Sequence, residues 1–401
     1  MAAGESVPEG AAATVHGAVD TGDGELDRIS ELPDDILLDI LGRLAAAGDH
    51  RAVARTSALS RRWRSLPWPQ IRTVALDVGA PCAAGAGAAS ASSTAPRRGS
   101  LAPAPPGGGG GWVIETLSLK LILTRRDYLR RIGELVGGAG GAGTVRRVEL
   151  DVATETECLP LDDTRAMLGY GERFVHFAGD CPGAFRSLAK LTLRSLWFHG
   201  DGAAALGELV RGCDALEFLC LKDCGLLPDG ATEIAGDGPP PCALAIDAPR
   251  SRLRALLCDF CYVGRLELVH APALAFVQYR AVFLEDSRPI LFRRTPSLRA
   301  VYLCYGQLEE DDDVKLELSD LLVNVHQLEW LTLSFDICKI WLQLEHPKRL
   351  RPVLGRLRQL NLKNTHPDCD LSWAIFLLEA APLLLTLDFH DIQSSMQFLL
   401  A

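Results

Sequence analysis

A triplet of apolar residues spaced apolar-x-x-apolar-x-apolar recurs along most of the chain, and few folds accept such a pattern. It stands at Ile71-Val74-Leu76, Ile114-Leu117-Leu119, Val145-Val148-Leu150, Leu188-Leu191-Leu193 and Leu216-Leu219-Leu221. It returns at Leu253-Leu256-Cys258, Leu274-Val277-Tyr279, Leu298-Val301-Leu303, Leu328-Leu331-Leu333, Leu357-Leu360-Leu362 and Leu384-Leu387-Phe389. The last two residues of each triplet are one strand period apart, so both point to the same face. Successive copies start 21 to 43 residues apart, which holds a short strand, a turn and a return segment. One such unit cannot bury its own apolar face, whereas stacked neighbours bury all of them. The spacing therefore predicts an α/β chain, a solenoid with a curved parallel sheet and helical or irregular return segments. A doubly wound sheet alternates similarly, but its strands read as continuous apolar runs without a fixed offset.

The return segments carry their own signals. Tyr128, Ile132, Leu135 and Val136 form a helical stripe, and Met167 and Leu168 mark another candidate helix. Asp201 is placed to cap a helix through Leu206, Leu209 and Val210, and Asp370 one through Trp373, Ile375, Phe376 and Leu378. Residues 1–26 lack periodicity and read as a disordered tail. Residues 79–111, rich in Ala, Gly, Ser and Pro, read as a flexible insertion, because they offer too little to offset the entropy of ordering. Residues 228–249 read as a further loop, and the acidic run 309–313 as a solvated one.

Extended by one step, the triplet matches L-x-x-L-x-L-x-x-N/C, and the units from 70 to 401 resemble irregular leucine-rich repeats. Cys224 and Cys261 fill the last position of that pattern. Cys258-x-x-Cys261 with Cys220 and Cys224 could also suggest zinc. The repeat position gives the better account, a buried thiol donating to backbone carbonyls at the turn.

Residues 27–69 differ in kind. Pro33 suits a first helical position, and Asp34 and Asp35 favour the positive helix start. Ile36, Leu37, Ile40, Leu41 and Leu44 then recur at helical spacing. The wording LPDDILLDIL, a short gap, then ARTSALSRRWRSLPW resembles the F-box of plant F-box proteins. The resemblance covers about a tenth of the chain. It implies three small helices that dock a SKP-type adaptor and, through it, a cullin, with Leu32, Pro33, Ile36, Leu37, Ile40, Leu59 and Trp63 at the adaptor. LRQLNLKN followed by FLLEAAPLLLTLDF resembles plant F-box/leucine-rich-repeat proteins with an FBD-type terminal segment.

A formal net charge of −10 argues against a nucleic-acid binder that relies on neutralising phosphates. The 12 cysteines are scattered rather than framed, unlike a secreted disulfide scaffold. No secretory signal or membrane-length apolar stretch is visible, so cytoplasm or nucleus is the expected compartment. The histidines are dispersed among the repeats outside any recognisable catalytic motif, and no cofactor is expected. The expected function is a non-catalytic substrate receptor of an SCF-type ubiquitin ligase, with a non-ligase interaction scaffold as the rival. Its protein target would meet the outward sheet face, where Arg194, Lys222, Arg280, Tyr302, Trp330 and Lys363 are the candidates. Thr192, Cys220, Gln278, Cys304, Thr332, Ser334, Asn361, Asp388 and His390 are expected on that face as well.

Overall fold

The last two residues of every triplet lie in a strand, and those eleven strands form one sheet. The computed structural model describes residues 32–46, 52, 55–56, 59–66, 73–78, 114–123, 126–155, 164–231, 242–281, 288–305, 315–335, 340–365 and 372–391. The expected tail, the 79–111 insertion, the 309–313 loop and the Asp370 cap lie outside these residues.

In chain order, α1 (Asp34–Ala46) and α2 (Arg61–Ser65) precede β1 (Thr73–Val78) and β2 (Ile114–Ile122). Then come α3 (Arg126–Gly141), β3 (Val145–Ala153), α4 (Thr164–Asp180), α5 (Pro182–Phe185), β4 (Leu188–Arg194) and β5 (Trp197–Phe198). The middle of the chain holds α6 (Gly200–Gly212), β6 (Phe218–Lys222), β7 (Gly225–Leu226), β8 (Ala243–Asp247), β9 (Ala255–Cys261) and β10 (Arg265–His270). It continues with β11 (Phe276–Ala281), β12 (Ile290–Arg294), β13 (Ala300–Tyr305) and α7 (Leu318–Leu321). Last are β14 (Trp330–Ser334), α8 (Pro347–Leu354), β15 (Gln359–Thr365), α9 (Ser372–Ala380) and β16 (Thr386–Asp391).

The long sheet runs β1-β2-β3-β4-β6-β9-β11-β13-β14-β15-β16, and every neighbouring pair in it is parallel. Helices or second strands return the chain between them, giving a mixed α/β, solenoid-like arrangement. From β4 onward the triplets align in register, Leu191 beside Leu219, Leu219 beside Leu256, and so on to Leu360 beside Leu387. Between β3 and β4 they do not: Leu150 pairs with Leu191, and an irregularity follows Val148. The nine-residue β2 and β3 carry an extra apolar step at Leu121 and Val152. A slip of two residues therefore keeps every apolar side chain on the same face. The triplet residues form one continuous core, most of them at or near zero exposure.

Three expectations change. Residues 242–247, read as loop, hold β8, which joins β10 and β12 in a second parallel sheet with Leu244 and Ile246 buried. Asp201 sits in the first turn of α6 rather than at its cap; the Gly200 N–H instead donates to Asp229 Oδ1 at 2.9 Å. In α9, Trp373, Phe376 and Leu377 are buried, while Ile375 and Leu378 face outward. β16 ends the sheet among the described residues, so its triplet residues Leu387 and Phe389 are 37% and 41% exposed.

The turns after the strands repeat one backbone feature. Ser195, Asp223, Phe260 and Asn364, each two residues past a triplet, have φ of 56°, 52°, 52° and 58°. Ser, Asp and Asn visit this left-handed region readily, but Phe does not. The conformation costs roughly 1–2 kcal/mol for an ordinary residue. Arg280 lies over the Phe260 ring at 4.1 Å, a contact worth about 0.5–1 kcal/mol at an exposed site. Strain outweighs the ring contact, so Phe260→Asn is expected to raise stability by up to about 1 kcal/mol in chemical denaturation. A comparable loss would show that the contact dominates.

Candidate docking surfaces

The amino-terminal helices build a small core of their own. Leu37 and Leu41 from α1 meet Trp63 and Leu66, with Leu32, Leu38 and Leu44 packed around them. Ser60 caps α2, its Oγ accepting from Trp63 N–H at 3.3 Å. Arg62 ties the start of one helix to the other: Nε and Nη2 donate to Asp34 Oδ1 at 2.9 and 2.6 Å, and Nη2 to the Leu32 carbonyl at 2.6 Å. The segment between α1 and α2, where the third helix is expected, lies largely outside the described residues.

Burial splits the apolar stripe of α1. Leu37 and Trp63 are 0% and 3% exposed. Their surface is spent inside the module. Ile36 and Leu59 are 44% and 67% exposed, Pro33 is exposed, and Leu32 and Ile40 are half-buried. Among the described residues, these five leave apolar surface uncovered over the core beneath.

On the long sheet, residues between the buried triplet positions form rows that cross the strands. One row is Glu149, Lys190, Phe218, Ala255, Phe276, Ala300, Trp330 and Gln359. The next includes Asp151, Thr192, Cys220, Leu257, Gln278, Tyr302, Thr332 and Asn361. A third, nearer the strand ends, holds Arg194, Lys222, Asp259, Arg280, Cys304, Ser334 and Lys363.

All six sequence candidates sit in these rows, but several are engaged within the chain. Arg194 Nε meets Asp151 Oδ1 at 2.9 Å, and Arg280 Nη1 meets Asp259 Oδ1 at 3.1 Å. Burial is the largest influence and opposes the Arg280 charge, but Asp259, Cys304 and Tyr302 together outweigh it and push the guanidinium pKa above its ordinary value. Lys363 lies over the Tyr302 ring at 5.9 Å. Trp330 is 48% exposed, and Lys222 is half-buried. Thr192, Cys304, Thr332, Ser334 and Asn361, expected on the outward face, are buried by their neighbours. At Ser334, for example, Asn364 Nδ2 donates to the hydroxyl at 3.1 Å. Sequence reasoning passed over Phe218 and Phe276; their signal was an aromatic beside a buried triplet residue at strand period.

The repeat-position cysteines behave as their pattern implies. Cys224 and Cys261 are buried in neighbouring units. Cys224 Sγ donates to the Leu193 and Lys222 carbonyls at 3.5 and 3.4 Å, and Cys261 Sγ to those of Leu221 and Asp259 at 3.3 and 3.6 Å. Burial pushes the Cys224 thiol well above its usual pKa; Cys261 rises too, through its hydrogen bond with Cys258 and burial. Burial takes Cys213 to about 12. Among the described residues, no three His, Cys, Asp or Glu side chains are grouped as metal ligands would be.

Thiolate is the reactive form, so these three cysteines should resist a thiol reagent at pH 8 and react once unfolded. Fast labelling of the folded protein, mapped to any of the three, would contradict this. Because their folded pKa values are raised, their contribution to stability is full below about pH 8.5, the ordinary thiol pKa. It is lost as pH rises further.

The chain thus joins a small helical module with exposed apolar residues to a long parallel sheet with a mixed aromatic and charged face. No family model matches it. A stretch of 53 residues is 51% identical to the meiotic F-box protein MOF of Oryza sativa subsp. japonica. The match covers 13% of this chain and 10% of that protein. It supports an F-box protein; the chain spans about a tenth of the length of the curated relative it matches.

Proposed function

We propose that the chain is the substrate-receptor subunit of an SCF-type ubiquitin ligase. Residues 27–69 are the F-box that docks a SKP-type adaptor, and residues 70–401 are a leucine-rich-repeat domain that holds a protein target. The reading rests on one conjunction: Ile36 and Leu59 stand exposed on a module with its own core, in a chain 51% identical over 53 residues to an F-box protein. A small module that leaves large aliphatic side chains in water has unburied driving force, about 25 cal/mol per Å² of apolar surface removed on docking. Leu32, Pro33, Ile36, Ile40 and Leu59 supply the contact; Leu37 and Trp63 support it.

Catalysis belongs to partners in this scheme. The adaptor links the receptor to a cullin, and the receptor raises the target's effective concentration at the conjugating enzyme. Such a subunit works in the cytoplasm or nucleus and needs no cofactor. The rival is a scaffold whose module joins no ligase. Affinity purification of the full chain from cells with degradation blocked separates the two. The ligase reading expects adaptor and cullin together with a target; a target recovered with neither adaptor nor cullin supports the scaffold.

A further inference from the structure

The row Phe218–Ala255–Phe276–Ala300–Trp330 alternates large and small across five adjacent strands. Neighbouring strands lie about 4.8 Å apart, so aromatics two strands apart stand about 9.6 Å from one another. Each alanine is thus the floor of a slot walled by two rings, one at Ala255 and one at Ala300. The two outer walls, Phe218 and Trp330, are held before any ligand arrives. Lys190 Nζ lies over the Phe218 ring at 5.1 Å, and Trp330 Nε1 donates to the Asn361 side-chain oxygen at 2.8 Å, with that amide assigned by its neighbours. Fixed walls reduce the entropy lost on binding.

The charge around the slots differs from that of the whole chain. From β6 to β15, this face and the margin where its strands begin carry Lys222, Arg254, Arg280, Arg299, Arg358 and Lys363 against Glu217, Asp259 and Glu329. That is an excess of three cations in a chain of formal net charge −10. Glu217 and Glu329 are themselves paired, with Arg147 at 2.7 Å and Arg299 at 3.4 Å.

Resting on the receptor reading, we infer that this face takes an extended acidic segment of the target, seating two apolar side chains in the slots at Ala255 and Ala300. The slots lie two strands apart, about 9.6 Å. Residues three apart in a polyproline-type extended chain are separated by about 9.3 Å. The occupant therefore carries apolar residues at i and i+3, flanked by Asp or Glu that meet Arg254 and Arg358 on one side and Lys222 and Lys363 on the other.

The test is selection of a phage-displayed library of random twelve-residue peptides on the full chain. Enriched peptides should be acidic, with two apolar residues three apart. Their affinity should fall about tenfold or more when Ala255→Phe or Ala300→Phe fills a slot, and similarly when Arg254→Glu and Arg358→Glu are combined. Trp330→Ala removes a wall without adding bulk, so it covers the case in which a filled variant fails to fold; it should lose binding too. No enrichment, enrichment of basic peptides, or undiminished binding by folded variants would overturn the inference. Adaptor capture is read in parallel. Wild-type protein that captures no adaptor fails the receptor reading, whereas slot variants that capture adaptor normally and bind the peptides unchanged fail only this inference.

Discussion

Ile36→Asp is expected to abolish capture of a SKP-type adaptor while leaving the rest of the chain folded. Ile36 is 44% exposed at the edge of the α1 stripe, next to the fully buried Leu37. Its loss should barely disturb the module's interior, and an acidic residue in a helix's first turn is favourable in itself. At an interface the change acts twice. It removes an anchor, where hot-spot truncations cost about 2 kcal/mol or more, and it asks for a carboxylate to be buried without a partner. Leu37→Asp is the informative contrast. It should also lose the adaptor, but by unfolding the Leu37–Leu41–Trp63–Leu66 cluster, which circular dichroism and tryptophan fluorescence would register. Equal capture by Ile36→Asp and wild type would remove α1 from the interface.

Gly171→Ala is expected to cost about 3 kcal/mol or more in denaturant unfolding, at the upper end of overpacking effects. Gly171 lies where α4 crosses β5. A Cβ there would fall 1.8 Å from the Trp197 carbonyl oxygen and 2.8 Å from its carbon. The obstacle is backbone, so no side-chain rotation relieves it. Either α4 lifts or β5 shifts, and each opens the cluster of Met167, Leu168, Trp197, Leu227 and Tyr262. Trp197 and Tyr262 stack in that cluster at 5.5 Å with planes 10° apart, so near-ultraviolet dichroism should report the damage. Gly169 in the same helix has nothing within 4 Å of a Cβ. There alanine should be neutral or stabilising, by up to about 1 kcal/mol. Similar losses at both positions would mean that the tight crossing is not the cause.

The long sheet was legible because two constraints coincide in each triplet. The offset of 2 gives strand geometry, and a fully buried row requires apolar residues at every copy. The return strands were not, although Leu244 and Ile246, Leu266 and Leu268, and Ile290 and Phe292 show the same alternation. Five or six residues of it, read alone, do not distinguish a strand from a loop; pairing with β10 decides the matter for β8 and β12. The slip between β3 and β4 was equally hidden, since a two-residue shift preserves the pattern that sequence displays. At the sheet face, residue type was readable but engagement was not. Arg194 and Asp151 lie 43 positions apart and meet only once their strands pair. In α1, periodicity identified one stripe, whereas Trp63 and Leu66 decide which part of it is interior.

The most direct measurement mixes the purified full chain with a purified SKP-type adaptor and follows their mass by light scattering during size-exclusion chromatography. The account predicts a one-to-one complex with wild type and separate elution with Ile36→Asp. Separate elution of folded wild-type chain and adaptor across the micromolar range would contradict it.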